Sequence, residues 1–260
     1  MTTLRQPRWV GFAVFVVALM VLCILAGRWQ WHRWHDRLAR NSVVEAAAAA
    51  EPVDPASVLR VGVPLPPGAE FSRVRASGRY DVVGQVLVRN HNGRGGFEVL
   101  TPLVTDSGPA IFVDRGWLPQ STSSAAQTPT VPDPPPGAVE VVLRMRPAEA
   151  PADNDSQAPA GQTYSIDVAA LAADLPYPVY GGYGELVEQT PASSDDLVLP
   201  EPPALGSGPH FFYAIQWWFF AALALVGFVL LARRDQQLPP SRTVTSWRDR
   251  SETSDLGPDR

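Results

Sequence analysis

Two apolar stretches decide how this chain folds: VGFAVFVVALMVLCILAGRWQWHR at residues 10–33 and PHFFYAIQWWFFAALALVGFVLLA at residues 209–232. The first keeps about 17 residues, Val10–Ala26, free of charge, which is near the lower limit for a helix that crosses a bilayer. The second is longer and can cross even when tilted. Each stretch also carries histidine, glutamine or arginine at one end, and a plain anchor has no need of such residues.

The first stretch predicts an uncleaved anchor. Arg5 and Arg8 precede it, as in a secretory signal, but no small-x-small cleavage pattern follows Ala26. The bulky residues before Cys23 also argue against a lipoprotein site. Because Cys23 is the only cysteine, the segment between the two stretches has no disulfide.

Positive charge at the second stretch predicts the orientation of the chain. Arg233 and Arg234 follow it directly, and no basic residue lies between Arg146 and Arg233. We therefore expect a two-pass protein of the plasma (cell) membrane, with both termini cytoplasmic and the central domain extracytoplasmic. Arg28 and Arg33 oppose this rule at the first stretch, so we interpret them as residues kept for a purpose.

Between the two transmembrane stretches the pattern predicts a domain of hairpin-linked strands. Residues 27–70 should form a helical extension and a Pro-rich linker, and residues 71–190 a β domain. Six runs rich in valine and aromatic residues predict strands: Phe71–Tyr80, Gln85–Asn90, Phe97–Val104, Ala110–Trp117, Ala138–Arg146 and Val179–Glu188. Asp167–Asp174 predicts a short helix. The predicted fold class is membrane-anchored α+β, with two transmembrane helices, 10–26 and 210–232, flanking a mostly antiparallel β barrel or sandwich.

The remaining segments are predicted to be irregular. Pro119–Gly137 and Pro147–Gly161 are rich in Pro, Ser, Ala and Gln and predict mobile loops, and residues 191–209 predict a linker. Residues 1–9 should be cytoplasmic, and residues 233–260 should form a disordered cytoplasmic tail. The net charge of −5 offers no basic surface for nucleic acid, so we expect the lipid bilayer and no nucleic acid among the partners.

The predicted β domain carries little sign of catalysis. Its one histidine, His91, could form a hydrolase triad with Asp81, Asp106 or Asp114 and a serine. Nothing resembles Gly-x-Ser-x-Gly, however, and a histidine in a Gly-rich turn is usually solvated. We therefore expect that the protein is not an enzyme. The alternative is a membrane-anchored hydrolase in which His91 is catalytic.

The run Asp114-Arg115-Gly116-Trp117 follows a strand that looks buried. Its simplest interpretation is a strand that ends in a turn, with Trp117 covering the edge of the domain and Asp114 paired to an arginine. A role in holding a partner is the alternative.

At the second stretch, one helix face predicts a binding surface. His210, Tyr213, Ala214, Trp217 and Ala221 share this face by helical spacing. The two alanines should leave space beside the imidazole, with Tyr213 and Trp217 as walls for a flat apolar macrocycle. In the first turn, the helix dipole favours a neutral imidazole that can ligate iron. The alternative is an ordinary interfacial aromatic belt, which the residues alone favour slightly.

The first stretch offers a complement to that face. Trp29, Arg33, Arg37 and Arg40 fall along one stripe of a helix just above the predicted span. Their guanidinium groups suit anionic groups such as haem propionates, although anionic lipid headgroups are the alternative. The histidine face of the second helix and the arginine stripe of the first are predicted at the same depth relative to the membrane, which favours a binding site between the two helices.

Five motifs then occur in a fixed order along the chain: Gly27-x-Trp29-Gln30-x-x-Arg33, Val86-Leu87-Val88-Arg89-Asn90, Val99-Leu100-Thr101-Pro102-Leu103, Val113-Asp114-Arg115-Gly116-Trp117 and His210-x-x-Tyr213-Ala214-x-Gln216-Trp217. With the flanking spans, they resemble the surfeit-locus-one (Surf-one) family of cytochrome c oxidase assembly factors over about residues 9–234. The chain departs from the family at His91, where an arginine is common, and in its enlarged Pro/Ser-rich loops.

The resemblance implies a non-enzymatic assembly factor that binds haem a transiently and helps to insert it into the oxidase catalytic subunit. His210 matches the family's proposed ligand of the haem iron. The expected cofactor-binding residues are His210, Tyr213, Trp217, Trp29, Gln30 and Arg33. The implied partner is the catalytic subunit of a haem-copper oxidase, with an enzyme of haem synthesis as a further candidate. A cofactor-free scaffold or chaperone for oxidase assembly is the alternative.

Overall fold

A computed structural model of the protein describes residues 7–120, 129–193 and 197–237. The chain divides into two compact units. A helical unit holds Met1–Arg37 and Ser207–Arg260, and a sheet unit holds Leu38–Gly206. The residues before Pro7, most of the predicted cytoplasmic tail, and part of the first predicted loop lie outside the described residues.

The described residues form four α-helices: α1 (Pro7–Ala49), α2 (Pro55–Val58), α3 (Val168–Ala172) and α4 (His210–Gln237). α1 and α4 are both long enough and apolar enough to cross a membrane, and they flank the sheet unit in the sequence. α1 runs without a break from the apolar stretch through the predicted helical extension. Its last turns, from Leu38 onward, belong to the sheet unit.

The sheet unit is built on one seven-stranded sheet. Its strands are β1 (Arg73–Tyr80), β2 (Val86–Arg89), β3 (Phe97–Thr105), β4 (Ala110–Leu118), β5 (Val139–Pro147), β6 (Gln162–Thr163) and β7 (Val179–Thr190). They pair in the order β1-β5-β7-β4-β3-β2-β6, and β1 also pairs with β3. Six of these strands coincide within a few residues with the predicted ones; β6 was not predicted.

The sheet is mixed: most of its pairings are antiparallel, as predicted for a barrel or sandwich, but two parallel pairings were not predicted. Among the described strands, five pairings are antiparallel, but β4 pairs with β7, and β2 with β6, in parallel. Hairpin spacing predicts only neighbours in sequence, such as β3 and β4. The parallel pairs join strands that lie far apart in the chain, which local patterning does not reveal.

The centre of the sheet is almost fully buried. β3 and β4 are buried at nearly every position, whereas β1 alternates between buried and exposed residues. Leu103, Ile111 and Leu143 belong to one apolar cluster, and Leu100 and Phe112 to another. Continuous burial of β3 and β4 means that both of their faces are covered, whereas the alternation in β1 leaves one of its faces toward solvent.

The Pro-rich linker before β1 is docked on the sheet. Leu59 is 1% exposed, and the backbone of Val61 and Pro64 bridges to β7. A Cβ on Gly181 would lie 1.9 Å from the carbonyl oxygen of Val63, so only glycine admits this approach. The extended backbone predicted from the prolines is therefore used as a packing surface.

The Pro/Ser-rich segment after β5 is organised around one carboxylate. Asp155 accepts hydrogen bonds from the backbone N–H groups of Ala152 and Tyr164, each at 2.7 Å. It also accepts from the hydroxyl of Thr163, at 2.9 Å, and from that of Ser165. Burial opposes ionisation, but these four donors outweigh it and lower the pKa of Asp155 to about 2.

We expect Asp155→Ala to lower the free energy of unfolding by about 1–2 kcal/mol at pH 7, because four donors lose their acceptor. The thermal midpoint of the full chain in detergent micelles measures this loss. Asp153→Ala is the matched control, since Asp153 is exposed on the same loop. The contribution of Asp155 is present above its ordinary pKa of 3.8 and is lost as the pH falls toward 2. Equal midpoints for the two variants at pH 7 would contradict the assignment.

Candidate functional site

The helical unit brings α1 and α4 into close contact. Buried residues recur at seven-residue spacing on both helices, Val16 and Cys23 on α1 and Ala214 and Ala221 on α4. This spacing is the pattern of two helices that pack side by side at a small crossing angle. The alanines were expected to leave an opening beside the imidazole. They are instead 0% and 6% exposed, because small side chains let helices approach closely.

The tightest contact lies where the apolar stretch of α1 ends. A Cβ on Gly27 would lie 2.2 Å from the indole Nε1 of Trp218, a distance that no side chain tolerates. Trp31 stacks near the same indole, with ring centroids 5.7 Å apart, and Trp34 lies 5.0 Å from Phe211. We call Trp31, Trp34, Phe211 and Trp218 the aromatic cluster. Sequence analysis missed it, although Phe211 and Trp218 stand seven residues apart, on one helix face.

The central polar contact joins His210 of α4 to Gln30 of α1. The imidazole Nδ1 lies 2.8 Å from the amide oxygen Oε1 of Gln30. An amide oxygen only accepts hydrogen bonds, so Nδ1 carries the proton and donates. In the neutral ring, Nε2 then holds a lone pair. A histidine that ligates a metal is typically fixed in this way, with its second nitrogen bonded to an acceptor.

A glycine, Gly208, lies next to the imidazole of His210. Gly208 has a φ of +62°, in the left-handed region that favours glycine. A Cβ at this position would lie 3.5 Å from Nε2 of His210 and 3.6 Å from Nη1 of Arg37. Nε2 of His210 and the guanidinium of Arg37 therefore both lie beside Gly208. Arg33 is exposed one turn earlier on the same stripe of α1.

The structure places the other predicted site residues at different distances from this contact. Trp29 and Tyr213 are 59% and 47% exposed. Trp217 stands two turns from His210, about 10 Å along the helix, and lines an apolar cleft with Cys23. Of the six predicted residues, His210 and Gln30 are thus brought into direct contact. Trp217 lies too far along α4 to flank the imidazole as predicted.

His91 in the sheet unit has a different environment from the solvated turn that the sequence predicted. It is 9% exposed, with Nδ1 2.5 Å from Glu98 and Nε2 2.7 Å from Glu149. Burial lowers the pKa of His91, but the hydrogen bonds and charges of Glu149 and Glu98 outweigh it and raise that pKa to about 10. Both ring nitrogens therefore donate, and neither has a lone pair for general-base catalysis.

The Asp114-Arg115-Gly116-Trp117 run lies within β4 and is part of the interior. Arg115 is 1% exposed, and its guanidinium donates to Gln85 Oε1 at 3.2 Å and to the carbonyl oxygen of Pro132 at 3.0 Å. Asp114 was expected to pair with an arginine, but its carboxylate accepts from the backbone N–H of Gly116. Burial and the nearby charge of Glu98 raise the pKa of Asp114. Asp114 and Arg115 are therefore buried in the sheet unit, and Trp117 is half-buried.

Two long apolar helices with a polar contact between them, joined by a mixed-sheet unit, define a class of protein: a domain carried between two candidate membrane spans. A model of the SURF1 family matches residues 17–222. Uncharacterized SURF1-like proteins of Mycobacterium bovis and of two strains of Mycobacterium tuberculosis are 32% identical over 257 residues, which is 93% of this chain and 93% of each relative. The chain belongs to the SURF1 family, which is known for oxidase assembly factors, and the resemblance seen in the sequence is confirmed.

We expect Gly27→Leu to force α1 and α4 apart, because the new side chain would overlap the indole of Trp218. Overpacking of this kind costs about 1–3 kcal/mol. Near-ultraviolet circular dichroism of the tryptophans, followed through thermal unfolding in detergent, reports the loss. Gly11→Leu on the same helix is the control, since nothing lies within 4 Å of a Cβ there. Identical unfolding curves for the two variants would refute the contact.

We expect the stabilising effect of His91 to depend on pH. Its pKa rises from 6.5 to about 10 on folding, so its contribution is complete below about pH 6.5 and is lost as the pH rises toward 10. The difference in thermal midpoint between the wild type and His91→Gln should therefore shrink from pH 6 to pH 10. His32→Gln, at an exposed position on α1, should show no such trend. A constant difference for His91→Gln would count against the charged ring.

Proposed function

We propose that this SURF1 family member spans the plasma membrane twice and assists the assembly of cytochrome c oxidase by binding haem a and delivering it to the catalytic subunit. The observation that carries the proposal is the hydrogen bond between His210 Nδ1 and Gln30, which leaves Nε2 free beside Gly208. Haem a is a cargo in this role, and the family membership supports the role in assembly.

The residues at this contact fit such a cargo. A neutral imidazole with a fixed tautomer supplies one nitrogen ligand for the haem iron. Nη1 of Arg37 lies beside Gly208, as Nε2 does, and Arg33 lies one turn before Arg37 on α1, so guanidinium groups are available for the propionates. A neutral ligand and positive neighbours together suit an iron porphyrin with two carboxylates.

Delivery requires the cargo to leave, and the chain suits reversible binding. The sequence has no Cys-x-x-Cys-His for covalent attachment, and its one cysteine, Cys23, lies within the apolar stretch of α1. A single histidine ligand gives a site weaker than a destination with more ligands. The binding free energy then favours transfer to the client subunit.

The proposed orientation places both termini in the cytoplasm and the sheet unit outside. It rests on Arg233 and Arg234, which directly follow the apolar part of α4. Arg28 and Arg33 would then lie on the outer side against the charge rule. Binding of the haem propionates would explain why arginines occur at these positions, which the charge rule does not.

The test is the visible spectrum of the full chain purified from cells that make haem a. We expect a Soret band in the wild type, its loss in His210→Ala, and affinity lower by about 10–100-fold in Gln30→Leu, where the tautomer is no longer fixed. His32→Ala, an exposed histidine on the same helix as Gln30, should keep the band.

The same variants separate the proposal from a cofactor-free scaffold. If the wild type shows no Soret band, or if His210→Ala retains it, haem binding at this site is wrong. Normal haem content in the oxidase of cells that carry only His210→Ala would then favour the scaffold. Co-purification of the oxidase catalytic subunit with the full chain tests the assembly role itself.

A further inference from the structure

An apolar cleft of about 360 Å³ lies between α1 and α4, inward from the His210–Gln30 contact. Six side chains line it: Leu19, Cys23, Trp217, Phe220, Leu223 and Ala224. None of them is charged, and both helices contribute. His210 does not line this intramembrane cleft.

The cleft is aligned with the proposed haem ligand. Trp217 follows His210 by seven residues, and Cys23 precedes Gln30 by seven, so both lie below the polar contact on the same helix faces. With a rise of about 1.5 Å per residue, the cleft begins about 10 Å below His210 and reaches about 21 Å below it at Ala224. It is therefore a slot that runs along the helices and away from the ligand.

We propose that this cleft holds the isoprenoid side chain of haem a while the iron is bound by His210, an inference that rests on the proposed function. The ring of haem a carries a long farnesyl-derived chain at one edge, whereas haem b carries a short vinyl group at that position. An apolar chain suits an uncharged lining, since each buried methylene adds to the binding free energy. The cleft would thus select the haems that carry the chain.

A lipid acyl chain has the same chemistry as an isoprenoid chain, but the position of the cleft favours the tethered one. A chain joined to a ring held at His210 is confined near the cleft at high effective concentration. A free lipid has no such link to the imidazole. The two occupants therefore differ in one measurable respect, because only the tethered chain makes haem affinity depend on the cleft.

The experiment titrates the full chain in lipid nanodiscs with haem a, haem o and haem b, and follows the Soret band. Haem o shares the isoprenoid chain of haem a but lacks its formyl group, so it isolates the effect of the chain. We expect haem a and haem o to bind at least tenfold more tightly than haem b. Ala224→Phe, which fills the cleft, should remove most of this preference and leave haem b affinity within about twofold.

The matched control is Ala222→Phe, an exposed position on the same helix that does not line the cleft. It should keep the preference. Equal affinity of the wild type for the three haems, or equal weakening of all three by Ala224→Phe, would overturn the isoprenoid slot and leave haem binding intact. Absence of binding to any haem, or binding that His210→Ala does not change, would instead overturn the proposed function.

Discussion

The contact between Gly27 and Trp218 is the constraint on which the helical unit depends. In a lipid bilayer, two apolar helices would have little hydrophobic drive to associate, and the close fit of small and large side chains would have to hold them together. The missing side chain at Gly27 admits the indole, and Ala214 and Ala221 on α4 are buried in the same unit. Only at this separation can a histidine on one helix and a glutamine on the other be 2.8 Å apart.

The polar contact in turn limits what the junction can do. An imidazole and an amide near an apolar span are costly unless each finds a partner, and here each satisfies the other. The pairing also assigns the proton, because Gln30 Oε1 can only accept a hydrogen bond and Nδ1 must therefore donate it. The same hydrogen bond therefore stabilises the helix pair and fixes the second ring nitrogen, Nε2, as the one without the proton. A belt of aromatic residues would need neither the histidine nor the glutamine.

The helices and strands could be predicted well from the sequence, but the contacts between them could not, for physical reasons. Valine-rich runs such as β1 and β4 follow from local composition, and helix spacing correctly placed Ala214 on one face with His210. Periodicity does not say what that face meets, so the buried alanines were taken for an opening. The parallel pairing of β4 with β7 and the role of Gly208 depend on groups far away in sequence. Gln30 was predicted from a motif, and its partner became visible only in three dimensions.

Two histidines in this chain show how the identity of the acceptors decides the chemistry of the ring. His91 lies between the carboxylates of Glu98 and Glu149, which hold protons on both nitrogens, so the ring is a fixed cation within the sheet unit. His210 has one amide acceptor, Gln30, which binds the Nδ1 proton and leaves Nε2 of the neutral ring with a lone pair. A hydrolase needs that lone pair at His91, where the two acids remove it. At His210 the amide of Gln30 accepts the hydrogen bond from Nδ1, and the lone pair of Nε2 is what the proposed metal ligation would use.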